Sequence, residues 1–317
     1  MDDSKFDVII VGGGPAGLSA ALVLGRCRRR VLVCDARQPR NAASHGLHLF
    51  LTRDGIKPAE FLSIAREQLQ PYPTVELREG LVTKASRLDD GFELVLTDPR
   101  NAGNGKEGQR VVGRKLLLAT GVVDELPNIE GIDEFYGRSV FHCPYCDGWE
   151  MRDRAIAVYG RGENGSGLAV ELLLWSRDVI LCTDGPSELS AEDRESLEHH
   201  KVNVREEPIA RLEGKNGQVE RIMFQTGEPL EVTAIFFSTG HRQKSDLAKQ
   251  LGCKLNNQDC VDTGDYEVTS VPGVYAAGDT SRLVQFVIVA AAEGAQAAVA
   301  INKELIKEDL ERAKARL

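Results

Sequence analysis

The run Gly12-Gly13-Gly14-Pro15-Ala16-Gly17 follows an unbroken apolar stretch, Phe6 to Val11, and leads into Leu18-Ser19-Ala20-Ala21-Leu22. Three glycines so spaced between a buried strand and a helix leave little choice of fold. The first allows a tight turn, the second lets the backbone approach a diphosphate, and the third lets helix and strand pack closely. The helix then points its free N–H groups at the phosphates. A second strand, Arg30 to Cys34, ends at Asp35, roughly 20 positions further on, where a carboxylate accepts from a ribose hydroxyl. The N-terminus therefore reads as a βαβ unit that binds a dinucleotide.

The pattern recurs. Lys115-Leu116-Leu117-Leu118-Ala119-Thr120-Gly121 is an apolar strand closed by glycine, and Ala234-Ile235-Phe236-Phe237-Ser238-Thr239-Gly240 repeats it, which indicates internal duplication. Between them, Ala155 to Tyr159 precedes a second glycine-rich turn at 160–165 and an amphipathic helix through Leu174. Gly273 to Asp279 reads as a buried strand ending in Gly278-Asp279. Val284 to Leu305 reads as a small-residue helix, and 303–317 as a charged helical tail. Residues 86–110 and Val202 to Phe224 read as β-hairpin insertions. The expected class is α/β, with two Rossmann-like, three-layer nucleotide-binding domains.

At 317 residues the chain exceeds what one core comfortably supports, so two domains are expected. No apolar run approaches the roughly 18 residues of a membrane span, and Asp2-Asp3 opposes a basic signal-peptide start. The expectation is a cytoplasmic protein with no membrane partner. A net charge of −9 argues against nucleic acid as a partner. The basic cluster Arg26-Cys27-Arg28-Arg29-Arg30 reads as a solvated helix C-terminus. Seven irregularly spaced cysteines do not make a secreted disulfide framework.

Cys143-Pro144-Tyr145-Cys146 lies between the two glycine-rich turns and is followed at once by Asp147. Two thiols at this spacing can close a small disulfide, and dithiol exchange needs a lowered thiol pKa and a nearby acid, for which Asp147 is the candidate. The competing use is half a zinc site. Zinc needs four ligands, and Cys253 and Cys260 lack a matching spacing, so no metal is expected. Cys27, Cys34 and Cys182 read as buried, inert thiols. His142 could lower a thiol pKa or merely cap a strand. His199 and His200, in a charged segment, read as exposed.

In order and spacing, the turn at 12–17, Ala119-Thr120-Gly121, Cys143 to Gly148, the turn at 160–165, and Gly278-Asp279 with Gln285 resemble the low-molecular-weight thioredoxin reductases. These are FAD-dependent disulfide oxidoreductases, and the resemblance spans essentially the whole chain. It implies an FAD domain built from 1–120 and 242–317, with a pyridine-nucleotide-type domain, 121–241, inserted between them. It also implies a homodimer, with hinges near Gly121 to Asp124 and Gly240 to Gln243. By resemblance, Gly12, Gly14 and Gly17, with Pro15 and Ala16, cradle the FAD diphosphate. Asp35 holds the adenosine ribose, and Ala119, Thr120, Gly121 and Gly278 line the cofactor. Asp279 binds the ribityl chain. Gln285 begins a helix that, with Phe286 and Val287, faces the flavin. Cys146 lies nearer the flavin, Cys143 attacks the partner disulfide, and Asp147 moves the proton. The implied activity is thioredoxin reduction, passing electrons from reduced flavin through Cys143-Cys146 to a thioredoxin-type disulfide.

One departure concerns the electron donor. The NADPH-using pattern ends its second-domain strand in a His-Arg-Arg cluster, whereas this chain has Val179-Ile180-Leu181-Cys182-Thr183-Asp184-Gly185. Losing those phosphate contacts costs about 1.5–3 kcal/mol per bond, so NADPH use is not expected. Asp184 would suit NAD by accepting from its hydroxyl, and Arg161 could pair with Glu163 or with phosphate. Pro144-Tyr145, Trp149-Glu150 and Leu174-Trp175-Ser176 also resemble divergent branches, among them gliotoxin-type dithiol oxidases that pass electrons from a small-molecule dithiol to oxygen. Trp149 and Trp175 read as packing residues. His45 and His48 stand in a loop that in the family runs near the flavin, where they could relay protons or be satisfied by backbone.

Overall fold

The structure, a computed structural model, describes residues 5–98 and 108–315. The N-terminal elements are β1 (Lys5–Val11), α1 (Pro15–Arg26), β2 (Val31–Asp35), α2 (Pro58–Glu67), β3 (Val75–Glu79), β4 (Leu81–Leu88), β5 (Gly91–Thr97) and β6 (Gln109–Leu118). There follow β7 (Val122–Asp124), α3 (Ile132–Phe135), β8 (Val140–Phe141), α4 (Pro144–Asp147), β9 (Ile156–Tyr159), α5 (Gly162–Leu172), β10 (Val179–Cys182), α6 (Ala191–His199) and β11 (Asn203–Arg205). The remainder comprises β12 (Ile209–Lys215), β13 (Gln218–Phe224), β14 (Leu230–Glu231), β15 (Ala234–Phe237), β16 (His241–Gln243), α7 (Leu247–Gln250), β17 (Val274–Ala276) and α8 (Val287–Lys314).

Two compact units emerge. The first comprises Met1–Ala42, Leu49–Val123 and Arg242–Leu317; the second comprises Ala43–His48 and Asp124–His241. In the first unit the strand order is β3-β2-β1-β6-β5-β4, with β17 also pairing with β6. Strands β1, β2, β3, β6 and β17 run parallel, and β4 and β5 add an antiparallel edge. The inner parallel strands β1, β2, β6 and β17 carry continuous apolar runs because both sheet faces are covered there, whereas the edge strand β3 is largely exposed. Ile9, Val11, Leu32, Leu116 and Leu118 pack on one face, while Val8, Ile10, Val31, Val33 and Leu117 pack on the other with α1 and α8.

Helix α8 meets α1 closely because Gly294 has no side chain. A Cβ there would lie 2.0 Å from the Ala16 carbonyl oxygen. Gly294→Ala is expected to cost about 1–3 kcal/mol by overpacking. It should lower the denaturant midpoint at unchanged slope.

The second unit has the parallel order β11-β10-β9-β15-β8 and a separate antiparallel sheet, β12-β13-β14. Ile156, Val158, Leu181 and Phe236 pack against Leu168, Ala169 and Leu172 of α5. The opposite face, with Ala157, Ile235 and Phe237, packs against Ile209, Leu212 and Ile222.

Local boundaries differ from expectation in three places. The second hairpin starts at Ile209, since 203–205 form a parallel strand instead. The first is two hairpin steps, β4-β5-β6, and part of the expected segment, 99–107, lies outside the described residues. The C-terminal helix starts at Val287, not Val284, and runs through Lys314 as one element, absorbing the described part of the charged tail. Gln285 therefore precedes the Phe286 cap and does not begin the helix.

Candidate active site

The sequence-assigned residues gather in two places, one in each unit. In the first unit, the parallel strands deliver the glycine turn, Ala119-Thr120-Gly121 and Gly278-Asp279 to the carboxyl end of the sheet. The Ala119 N–H donates to Val11 and the Ala277 N–H to Leu118, which locks the three chain segments side by side. The Thr120 and Thr280 hydroxyls are 3.3 Å apart. The glycines divide by role. A Cβ on Gly12, at φ +114°, would lie 2.1 Å from the Ala119 carbonyl oxygen, and one on Gly17 would lie 1.9 Å from that of Gly12. A Cβ on Gly14 would meet nothing within 4 Å. The turn is thus packed from behind and open at Gly14, ahead of α1 with Pro15 at its start. That shape fits a dinucleotide diphosphate.

Asp35 ends β2, where its carboxylate accepts from the Arg37 N–H and from Arg66, both at 2.9 Å. Each oxygen retains a lone pair for a ribose hydroxyl. Arg40 bonds both Asp279 (2.9 Å) and Gln285 (2.6 Å), which ties the two C-terminal candidates together. Sequence reasoning missed Arg40, and nothing in its Pro-Arg-Asn setting singles it out. It also missed Glu293, a buried carboxylate that accepts from the Gly278 N–H at 2.8 Å and from Arg282 at 2.6 Å. An acidic residue within an otherwise small-residue apolar helix was the available signal.

In the second unit, Cys143 caps the single-turn helix α4, whose last two residues are Cys146 and Asp147. The cysteines are half-buried dithiols. A hydrogen bond from Cys146 pulls the Cys143 thiol below its ordinary pKa, and the Cys146 and Tyr145 backbone help, against burial and the Asp147 charge. Asp147 moves the other way. Burial pushes its carboxyl up to about 7; His48 opposes this, and Glu150 adds to it. One loop thus holds a nucleophilic thiol beside an acid that titrates near neutrality. His48 Nε2 stands 3.7 Å from Glu150. His142 faces Asp124 at 4.0 Å, and Asp124 also accepts from the Tyr136 hydroxyl at 2.6 Å.

Several expectations need correction. Trp149 is 63% exposed with Arg152 over its ring, so it is not a packing residue. Trp175 does pack, meeting Tyr145 edge-on. Cys27 is exposed just beyond α1, where the chain leaves the helix among arginines. Cys34 and Cys182 are buried, and burial pushes both thiols up to about 12. A thiol reagent at neutral pH should therefore label Cys27 in the native protein, and Cys143 and Cys146 as well once their disulfide has been reduced. Cys34 and Cys182 should react only after unfolding, as peptide mass spectrometry would show. His45, His199 and His200 are exposed. Among the described residues there is no cluster fit for a metal ion, and no helix is long and apolar enough to cross a membrane.

The second glycine turn is built differently from the first. Arg161 donates to the carbonyls of Thr183, at 2.7 Å, and Asp184, and pairs with Glu188 at 3.7 Å, not with Glu163. Asp184 accepts the Ile209 N–H at 2.7 Å on one oxygen and faces the Tyr159 hydroxyl at 3.5 Å with the other. Asp184 thus also holds the start of β12 to the end of β10.

A dinucleotide cradle in one unit and a dithiol with its acid in the other define a flavoprotein-type disulfide oxidoreductase. Residues 6–294 match the pyridine nucleotide-disulphide oxidoreductase family, and the chain belongs to it. Thioredoxin reductase aclD of Aspergillus oryzae is 32% identical over 95% of this chain and 96% of its own. The crystal structure of HlmI aligns with TM-score 0.90 at 33% identity, covering 100% of this chain and 98% of that one. An oxidoreductase from Agrobacterium tumefaciens gives TM-score 0.86 at 33% identity, over 95% and 99% of the two chains. The protein is an enzyme of the thioredoxin reductase type.

Proposed function

We propose that the protein carries FAD and exchanges electrons through Cys143-Cys146 with a thioredoxin-type protein disulfide. The observation that carries this reading is the lowered Cys143 thiol one helical turn from Asp147, whose carboxyl is held near neutral pH. Gly12, Gly14 and Gly17, with Pro15 and Ala16, hold the FAD diphosphate, and Asp35 holds its adenosine ribose. Ala119, Thr120, Gly121, Gly278, Asp279, Gln285, Phe286 and Val287 complete the site. Bound FAD supplies the two-electron store that opens the cysteine disulfide. Cys143 then attacks the partner disulfide, Cys146 resolves the mixed disulfide, and Asp147 protonates the departing thiolate. The FAD domain is 1–120 with 242–317, the inserted domain is 121–241, and the enzyme works as a cytoplasmic homodimer.

A second reading, oxidation of a small-molecule dithiol with oxygen as acceptor, is favoured by Arg161 and Asp184. Arg161 is held by the Thr183 carbonyl, and Asp184 puts an anion where a 2′-phosphate would need a cation. Anaerobic bleaching of the flavin separates the cases. Bleaching by dithionite or a small dithiol, but not by NADPH or NADH, is the expected result. Rapid bleaching by NADPH would restore a conventional reductase. Oxygen uptake with a small dithiol, and none coupled to thioredoxin, would establish the second reading.

A further inference from the structure

The segment Ala43–His48 leaves the first unit's part of the sequence and belongs to the second unit. Its seat is shaped for it: a Cβ on Gly137 would lie 2.9 Å from Ala43. The segment ends in His48, whose ring stands 3.7 Å from Glu150 Oε1, three positions beyond Asp147. Glu150 Oε2 is buried and has no hydrogen-bond partner among the described residues. A buried carboxylate oxygen left without a partner is costly and calls for a role.

The other charged groups of this corner have separate assignments. Asp124 faces His142 and Tyr136, Glu171 accepts from Tyr145, and Arg152 lies over Trp149. His48 and Glu150 are the two groups whose charges act on Asp147, in opposite directions.

We propose that His48, braced by Glu150, is a positioning residue that replenishes the proton on Asp147 during dithiol exchange. The inference rests on the reading of Cys143-Cys146 as the exchange pair. As the Cys146 thiolate bonds to Cys143, the bond from Cys143 to the partner sulfur breaks. Its electron pair leaves on that sulfur, which takes the Asp147 proton. The Asp147 carboxylate is then reprotonated from solvent through the imidazole of His48, which Glu150 holds in place. Over one cycle the partner disulfide gains two electrons and two protons, and the cysteine pair loses the same.

The test is a single-turnover pH profile of the holoenzyme. Dithionite reduces it, and dipyridyl disulfide then reoxidises it, so neither a natural donor nor a natural partner is required. The wild type should show an inflection near pH 7. His48→Gln removes a cation and should raise that inflection by about one pH unit, while Glu150→Gln removes an anion and should lower it. A merely structural lesion would move both the same way. An unmoved inflection in His48→Gln, or shifts of the same sign in both variants, overturns the proposal. Asp147→Asn separates the two levels. If it keeps the wild-type inflection, the reading of Asp147 as the acid fails; if it loses the inflection while His48→Gln does not move it, only the His48 role falls. Flavin content and far-ultraviolet circular dichroism report folding, and His48→Asn replaces His48→Gln should the latter not fold.

Discussion

Cys143→Ser is expected to abolish reduction of a protein disulfide while leaving bound flavin and its absorption spectrum in place. The loss should be on the order of a thousandfold or more, as for removal of any catalytic nucleophile. A serine hydroxyl cannot match the thiolate that Cys143 offers, because the Cys146 hydrogen bond lowers the pKa of a thiol and a hydroxyl starts far higher. Flavin retention follows from location: the glycine cradle and Asp35 lie in the first unit, and Cys143 lies in the second. Cys146→Ser should behave differently. With Cys143 intact and no resolving thiol, the variant should trap a covalent mixed disulfide with its partner, visible on a non-reducing gel. Full activity in Cys143→Ser would reverse the assigned division of labour between the two cysteines.

The contrast between these variants shows what was legible in the chain. The strands β1, β2, β6 and β15 were readable because buried parallel strands carry unbroken apolar runs, and the turn after β1 was readable because diphosphate approach demands glycine. Cys143, Cys146 and Asp147 were readable because their chemistry is local, within one turn of helix. Glu150 and His48 were not, since their pairing joins residues about a hundred positions apart, and no periodicity records such a meeting. Arg40 escaped for the same reason, as Asp279 and Gln285 lie far along the chain. The bond from the Ile209 N–H to Asp184 was equally illegible, since it too joins residues of separate elements. The start of α8 was misplaced because Val284, apolar and flanked by Leu283, is exposed here and so bears no mark of its place outside the helix.

Asp147→Asn is expected to slow exchange by about 10²–10⁴-fold and to make the folded protein more stable above neutral pH. The rate effect is that of losing a positioned general acid. Because the carboxyl is pushed up to about 7, chiefly by burial, the wild-type rate of thiolate protonation should fall as pH rises through 7. The variant has no proton to lose and should show no such fall. The stability effect has the opposite sign from the usual salt-bridged aspartate. The folded state holds this proton more tightly than the unfolded chain, whose carboxyl titrates near its ordinary value. Folding is therefore unpenalised below about pH 4, and stability is lost progressively as pH rises toward 7. A shift of this size corresponds to at most about 4 kcal/mol. Burying an anion at this position is the cost of keeping an acid that works at neutral pH. Urea midpoints for both proteins across pH 4 to 9 would show it: the curves should coincide near pH 4, separate progressively up to about pH 7 and stay apart above it, with the variant the more stable. A variant that is slower and no more stable at pH 8 would mean that Asp147 is ordinarily ionised in the resting fold, and that its proton comes and goes only when a partner covers the cysteine pair.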